Sequence, residues 1–245
     1  MVINVHGGHN RIVPGASGYL DEVTEDRAVT AQVIAKLRAL GHTVFDCTDD
    51  SGRTQGQNLA NIVHACNAHA ADLDVSIHLN SGGGTGTEVL VYSDTGEAAG
   101  YAVKICAAIS ELGYRNRGVK ERKNLYVLRR TTAPALLVEC CFVDSAADAQ
   151  RFDADKMAAA IVRGITGQTA AQTGAAPAQQ AGYHVRITAS VLNVRRDHSA
   201  SSAVATQVRK GEVYTIVDEY NNGGTLWGKL KSGAGWIALK YTQCV

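Results

Sequence analysis

Apolar positions along the first two-thirds of the chain switch repeatedly between two periods. The run "VINV" (2–5) predicts a strand, and Val29, Val33, Ile34, Leu37 and Leu40 then recur at helical spacing up to Gly41, which predicts a helix closed by a glycine cap. "TVFDC" (43–47) reads as the next strand, and Leu59, Ile62, Val63 and Cys66 mark one face of a second helix. "DVSIHL" (74–79) and "TEVLVY" (87–92) predict two more strands, followed by a helix over 97–112 carrying Ala102, Ile105, Cys106 and Ile109. A strand over 135–141 and one final helix over about 146–165 complete the series. Such alternation predicts an α/β domain with a mostly parallel sheet and helices on both faces.

Beyond residue 182 the pattern changes to short strands and turns: "HVRITAS", "LNVRRD", "EVYTIVDEY", "NNGG", "LWGKLKS", "GAG" and "WIAL". These predict a small all-β barrel. Between the two lies "QTAAQTGAAPAQQAG" (168–182), with no charge and no large apolar side chain, which reads as a flexible linker. The expected organisation is therefore 1–167, linker 168–182, and 183–245.

The chain has 245 residues, 45% of them hydrophobic, and a net charge of +1, so nothing in its bulk charge points to a nucleic-acid binder. The charge is divided, with −3 over residues 1–167 and +4 over 168–245, and the basic C-terminal part suits an anionic surface. The six cysteines (47, 66, 106, 140, 141 and 244) form no CxxC pair, and several fall at apolar positions of helices or strands, so reduced, buried thiols are expected. There is no apolar run of about 18 residues, hence no expected transmembrane segment. "MVINVHGGHN" lacks the basic start and apolar core of a secretory signal, so the expectation is a protein made in the cytoplasm that acts elsewhere after release.

Glu139 interrupts the apolar stretch "ALLVECCFVD" (135–144). A buried carboxylate must stay protonated, meet a cation or serve chemistry. "VINVHGGHN" places His9 in a glycine loop just past the first strand, where ligands of open α/β sheets collect, while His6 sits inside the strand end. "DVSIHLNSGGG" repeats the arrangement with His78 and leads through Asn80 into a second glycine loop. The helix opening "LDEVTEDR" offers Asp21, Glu22, Glu25 and Asp26, the last three on one face; these acids also suit the positive end of a helix dipole. Two imidazoles and one carboxylate form a common ligand set for catalytic zinc, leaving one position for water. Glu139 within reach would take that water's proton, its pKa raised by apolar neighbours. His42, His64, His69, His184 and His198 read as structural or solvated.

Residues 2–165 carry Gly8 and His9, "SIHLN" (76–80), "NRGVK" (116–120), "LYVLR" (125–129) and "PALLVECCFVD" (134–144). In order and spacing this resembles the zinc-dependent N-acetylmuramoyl-L-alanine amidases of the type 3 family, which cleave between the lactyl group of muramic acid and L-alanine in peptidoglycan. The resemblance implies a Zn2+ cofactor held by His9, Glu22 and His78, with Glu22 chosen because it lies nineteen residues before Gly41, and Glu139 as the catalytic glutamate. Asn80 is implied to bind substrate or to steady its loop. The family often carries Lys directly after the metal-binding glutamate and Asn four residues after it, where this chain has Val23 and Asp26.

The compact domain is most similar to those of phage endolysins, with an autolysin as the neighbouring expectation. Residues 183–245 resemble a bacterial SH3-like wall-binding module through "LNVR" (192–195) and "GWIALKY" (235–241). Trp227, Trp236 and Tyr241 are expected in its core, with an exposed subset beside Arg195 or Arg196 as the other reading. The implied partners are peptidoglycan and the bacterial cell wall, without nucleic acid. Two rival functions remain open: a zinc peptidase cutting the stem peptide, and a non-catalytic wall-binding protein, against which the intact set of His9, Glu22, His78 and Glu139 argues.

Overall fold

The computed structural model describes residues 1–168, 183–222 and 225–244. Two compact units divide the chain, Met1–Ala171 and Gln172–Val245. Beyond Gln168, the expected linker lies outside the described residues.

In the first unit the strands are β1 (Val2–Gly7), β2 (Thr43–Asp46), β3 (Leu73–Asn80), β4 (Thr87–Val91), β5 (Asn116–Glu121) and β6 (Ala135–Phe142). The helices are α1 (Glu22–Ala39), α2 (Gln55–Asn67), α3 (Glu97–Ser110), α4 (Tyr126–Arg130), α5 (Ala146–Arg151) and α6 (Ala154–Thr166). Among the described residues the strands form one sheet in the order β2-β1-β3-β6-β4-β5, with every pair parallel except β4 with β6.

Strand alternation divides the buried side chains between the two faces. Val75, Ile77, Val89, Val91, Leu136 and Val138 join the core built with α1, α3 and α6, whereas Leu90, Ala135 and Leu137 pack with Ile62 and Cys66 of α2 and Val127 and Leu128 of α4. His78, Glu139 and Glu88 fall on the second face by the same two-residue period, since His78 and Glu88 are the Cα partners of Glu139 on its two sides. This face is covered by α2, of 13 residues, and α4, of five. Between the His78 and Asn80 pairings β6 takes up one extra residue. That bulge lies at Cys140 and Cys141, both of which are fully buried although adjacent.

The single helix expected over 146–165 is two helices. Asp153 breaks the run, because its carboxylate accepts from the backbone N–H of Asp155 and Lys156 and so starts α6 afresh. β5 and α4, which no periodicity announces, are built from "NRGVKE" and "YVLRR". Cys47, Cys66, Cys106, Cys140 and Cys141 are buried free thiols.

The second unit holds β7 (Tyr183–Ile187), β8 (Val191–Arg195), β9 (Val204–Arg209), β10 (Val213–Asn222), β11 (Thr225–Leu230), β12 (Trp236–Ala238) and β13 (Thr242–Cys244). They form an antiparallel sheet in the order β13-β7-β10-β11-β12-β8-β9 around Val185, Ile187, Leu192, Val194, Val208, Ile216, Leu230 and Ile237. Trp227 is buried, Trp236 half-buried and Tyr241 43% exposed, and none of the three belongs to that cluster. The place of Tyr241 in a short 3-10 turn, Leu239–Tyr241, lifts it off the strand alternation that buries Ile237. No helix among the described residues is long and apolar enough to cross a membrane.

Candidate metal centre

The acids that open α1 have four different fates. Asp21 is the N-cap and accepts from the Thr24 N–H at 2.9 Å and the Thr24 hydroxyl at 2.7 Å, which fixes where the helix starts. Glu22, one position on, is buried and points back to the sheet; Oε2 accepts from the Ala16 N–H at 2.7 Å and Oε1 from the Leu79 N–H at 3.2 Å. Glu25 is half-buried, and Asp26, fully buried, pairs with Arg27 at 2.7 Å.

Oε1 of Glu22 lies 3.1 Å from His78 Nδ1 and 3.7 Å from His9 Nε2. The two imidazole rings stand edge to face with centroids 5.2 Å apart. One donor atom from each of His9, Glu22 and His78 lies within 4.8 Å of the others, an arrangement that can hold a metal ion. Burial would raise the Glu22 carboxyl, but hydrogen bonding and charge from His78, with the Ala16 N–H, hold it below the usual range. Burial works against protonated His78, yet contact with Glu22 and the charge of Glu139 raise it; burial lowers His9.

His9 reaches this point through an uncommon backbone. It has φ of 49°, the only positive φ of a non-glycine residue among those described. Arg27 holds the loop, donating from Nη1 to the Gly8 carbonyl and from Nη2 to the His9 carbonyl, both at 2.8 Å, while Asp50 accepts from Nη2 at 2.8 Å. Asn10 closes the far side, its Oδ1 accepting from the backbone N–H of Ile12 and Val13. A Cβ at Gly8 would overlap the His78 imidazole, so only glycine lets the loop pass this close.

Glu139 stands beside His78 across the β3–β6 pairing. Its Oε2 is buried without a hydrogen-bond partner among the described residues. Burial pushes its pKa up to about 7, against the pull of His78 and with a push from Glu22 and Glu88. Burial thus favours the protonated form of a carboxyl group that keeps one oxygen without a partner among the described residues.

His6 is buried and does not join the donor cluster; its Nδ1 lies near the Gly7 carbonyl at 3.3 Å and the Ser76 hydroxyl at 3.5 Å, and burial, with the nearby charge of His78, lowers it to about 3. Asn80 spends both polar atoms inside the protein: Nδ2 donates to Glu88 at 3.1 Å and Oδ1 accepts from the Ser81 N–H. Sequence reasoning did not single out Arg27, Glu88 or Arg117. Glu88 carried a readable signal, since in "TEVLVY" it interrupts an apolar strand as Glu139 does.

Residues 1–167 match the family described as N-acetylmuramoyl-L-alanine amidase, and residues 190–243 match the bacterial SH3 domain. An uncharacterized protein of Clostridium perfringens (strain 13 / Type A) is 38% identical over 154 residues, covering 60% of this chain and 45% of that protein. This chain thus spans less than half the length of that relative. The sporulation-specific N-acetylmuramoyl-L-alanine amidase of Bacillus subtilis (strain 168) is 31% identical over 209 residues, 83% of this chain and 80% of that protein. Among solved structures, the catalytic domain of CD27L endolysin targeting Clostridia Difficile superimposes with a TM-score of 0.65 at 26% identity, over 69% of this chain and 98% of that one.

Proposed function

This chain belongs to the N-acetylmuramoyl-L-alanine amidase family, and from that premise we propose that it hydrolyses the amide between the lactyl group of N-acetylmuramic acid and L-alanine in peptidoglycan. In this reading Zn2+ is the cofactor, the SH3-like unit docks the enzyme on the bacterial cell wall, and the protein works there as an endolysin or autolysin.

The observation that carries the reading is the clustering of His9, Glu22 and His78 on the rim of one sheet face, with the orphaned Oε2 of Glu139 next to it. The donor set fits zinc. Nitrogen and oxygen ligands about 2.0–2.1 Å from a tetrahedral ion lie roughly 3.3 Å from one another, and the two contacts of Glu22 Oε1, 3.1 and 3.7 Å, bracket that spacing.

His9, Glu22 and His78 would hold the ion, which when bound supplies Lewis acidity to a water molecule and to the scissile carbonyl. Glu139 takes the water's proton on Oε2 and passes it to the L-alanine nitrogen as the C–N bond breaks. Arg27 keeps His9 in its left-handed backbone, and Asn80 steadies the loop that follows His78.

Digestion of purified peptidoglycan, with mass spectrometry of the products, tests the proposal. Free L-alanine amines and intact glycan stripped of stem peptides are expected from the wild type, none of this release from chelator-treated protein, and only a small residual release from Glu139→Gln. New termini within the stem peptide would identify a peptidase instead, and wall binding without any release would identify a binding protein.

A further inference from the structure

The row formed by His78, Glu139 and Glu88 on three neighbouring strands continues onto the edge strand β5 at Arg117. Arg117 Nε donates to Glu88 Oε2 at 2.8 Å, and the guanidinium lies over the Phe142 ring, 4.9 Å from its centroid. Glu88 is buried and its other oxygen accepts from Asn80, so this carboxylate is fully occupied as an anchor. Among the described residues neither Nη of Arg117 has a hydrogen-bond partner, and the side chain is 31% exposed. A guanidinium locked on one edge and one face, with its other edge open, is preorganised for an oxyanion.

The surroundings favour negative charge. β5 and its flanks bring Arg115, Lys120, Arg122 and Lys123 against the single acid Glu121. Among the described residues neither Arg115 nor Lys120 forms an ion pair. Two strand spacings separate β6 from β5, or about 10 Å. An extended peptide covers about 3.3–3.6 Å per residue, so a chain leaving Glu139 toward the edge passes Arg117 within its first two or three residues.

We propose that the open edge of Arg117 is a subsite for a carboxylate of the stem peptide, the one borne by the residue that follows L-alanine. The proposal rests on the amidase reading above. It makes the enzyme selective for muropeptides whose second stem residue keeps its α-carboxylate over those in which that group is an amide.

Steady-state hydrolysis of the γ-N-methylamide of N-acetylmuramoyl-L-alanyl-D-glutamate, whose one remaining peptide carboxylate is the α-group, and of the corresponding α-carboxamide by the zinc-loaded full chain provides the test. The wild type is expected to favour the acid in kcat/KM by roughly 10- to 100-fold. Arg117→Lys, which keeps the charge but not the fork, should reduce that ratio. The double change Arg117→Gln with Glu88→Gln, which leaves no unpaired buried carboxylate, should bring it close to one, with circular dichroism and bound zinc measured alongside. Equal rates on both substrates in the wild type overturn the subsite, as does an unchanged ratio in the double variant. Hydrolysis of neither substrate overturns the amidase reading itself, and the subsite with it.

Discussion

Arg27 Nη2 donates to the backbone carbonyl of His9 at 2.8 Å, across eighteen residues of sequence. The same guanidinium holds Gly8 and is neutralised by buried Asp26 and exposed Asp50. His9, with φ of 49° and proposed as a metal ligand, is thus kept in place by a group outside the donor cluster.

Replacing Asp26 and Arg27 together by Asn and Gln removes the clamp without leaving a buried charge unpaired. Zinc affinity, read by competition with a chromophoric chelator, should fall about 10- to 100-fold. Restored affinity in the Asp26→Asn, Arg27→Lys pair would show that charge rather than the two-carbonyl grip matters, and the positioning role would be lost.

Glu139→Gln should lower kcat by about 10²- to 10⁴-fold while KM and bound zinc stay near wild type. The proposed base acts as a carboxylate, so in the wild type kcat/KM should decline as pH falls through the Glu139 pKa, and that limb should be absent from the residual rate of the variant. A pH–rate profile of both proteins checks this.

His6 and His9 are three residues apart, but only His9 joins Glu22 and His78. His9→Ala should abolish stoichiometric zinc binding. His6→Gln should keep it while lowering stability by about 1–3 kcal/mol for a disturbed buried polar group. Metal analysis and thermal melts separate the two, and loss of zinc in the His6 variant alone would reverse the assignment.

Asp74 is buried on β3, where Oδ1 accepts from Asn4 Nδ2 at 2.7 Å while Asp74 Oδ2 and Asn4 Oδ1 have no partner among the described residues. Burial raises its pKa to about 6. The folded state therefore binds this proton more tightly than the unfolded chain, so the stabilisation is complete at low pH and is lost as pH rises through about 6. Asp74→Asn should raise the melting temperature at pH 8 and leave it nearly unchanged at pH 4. A gain at both values would point to packing rather than charge.

The candidate site was legible where a residue broke a local pattern. Glu139 in an apolar strand, and histidines at the ends of two strands leading into glycines, stand out because strand alternation and turn chemistry are local. Glu88 breaks its strand in the same way, but one charge in "TEVLVY" has no meaning until its neighbours are known. The break between α5 and α6 is equally illegible in the pattern, because the apolar period runs on while a single side-chain cap at Asp153 decides the end.

By itself the sequence determined the α/β alternation and the change to short strands after residue 182. Tertiary structure alone decided that β6 enters between β3 and β4, which sets Glu139 between His78 and Glu88 and extends the row to Arg117. It also decided that Arg27 reaches back to His9. Side-chain period is written residue by residue, whereas strand order and the reach of a guanidinium depend on pairings between segments far apart in the chain, which no local pattern encodes.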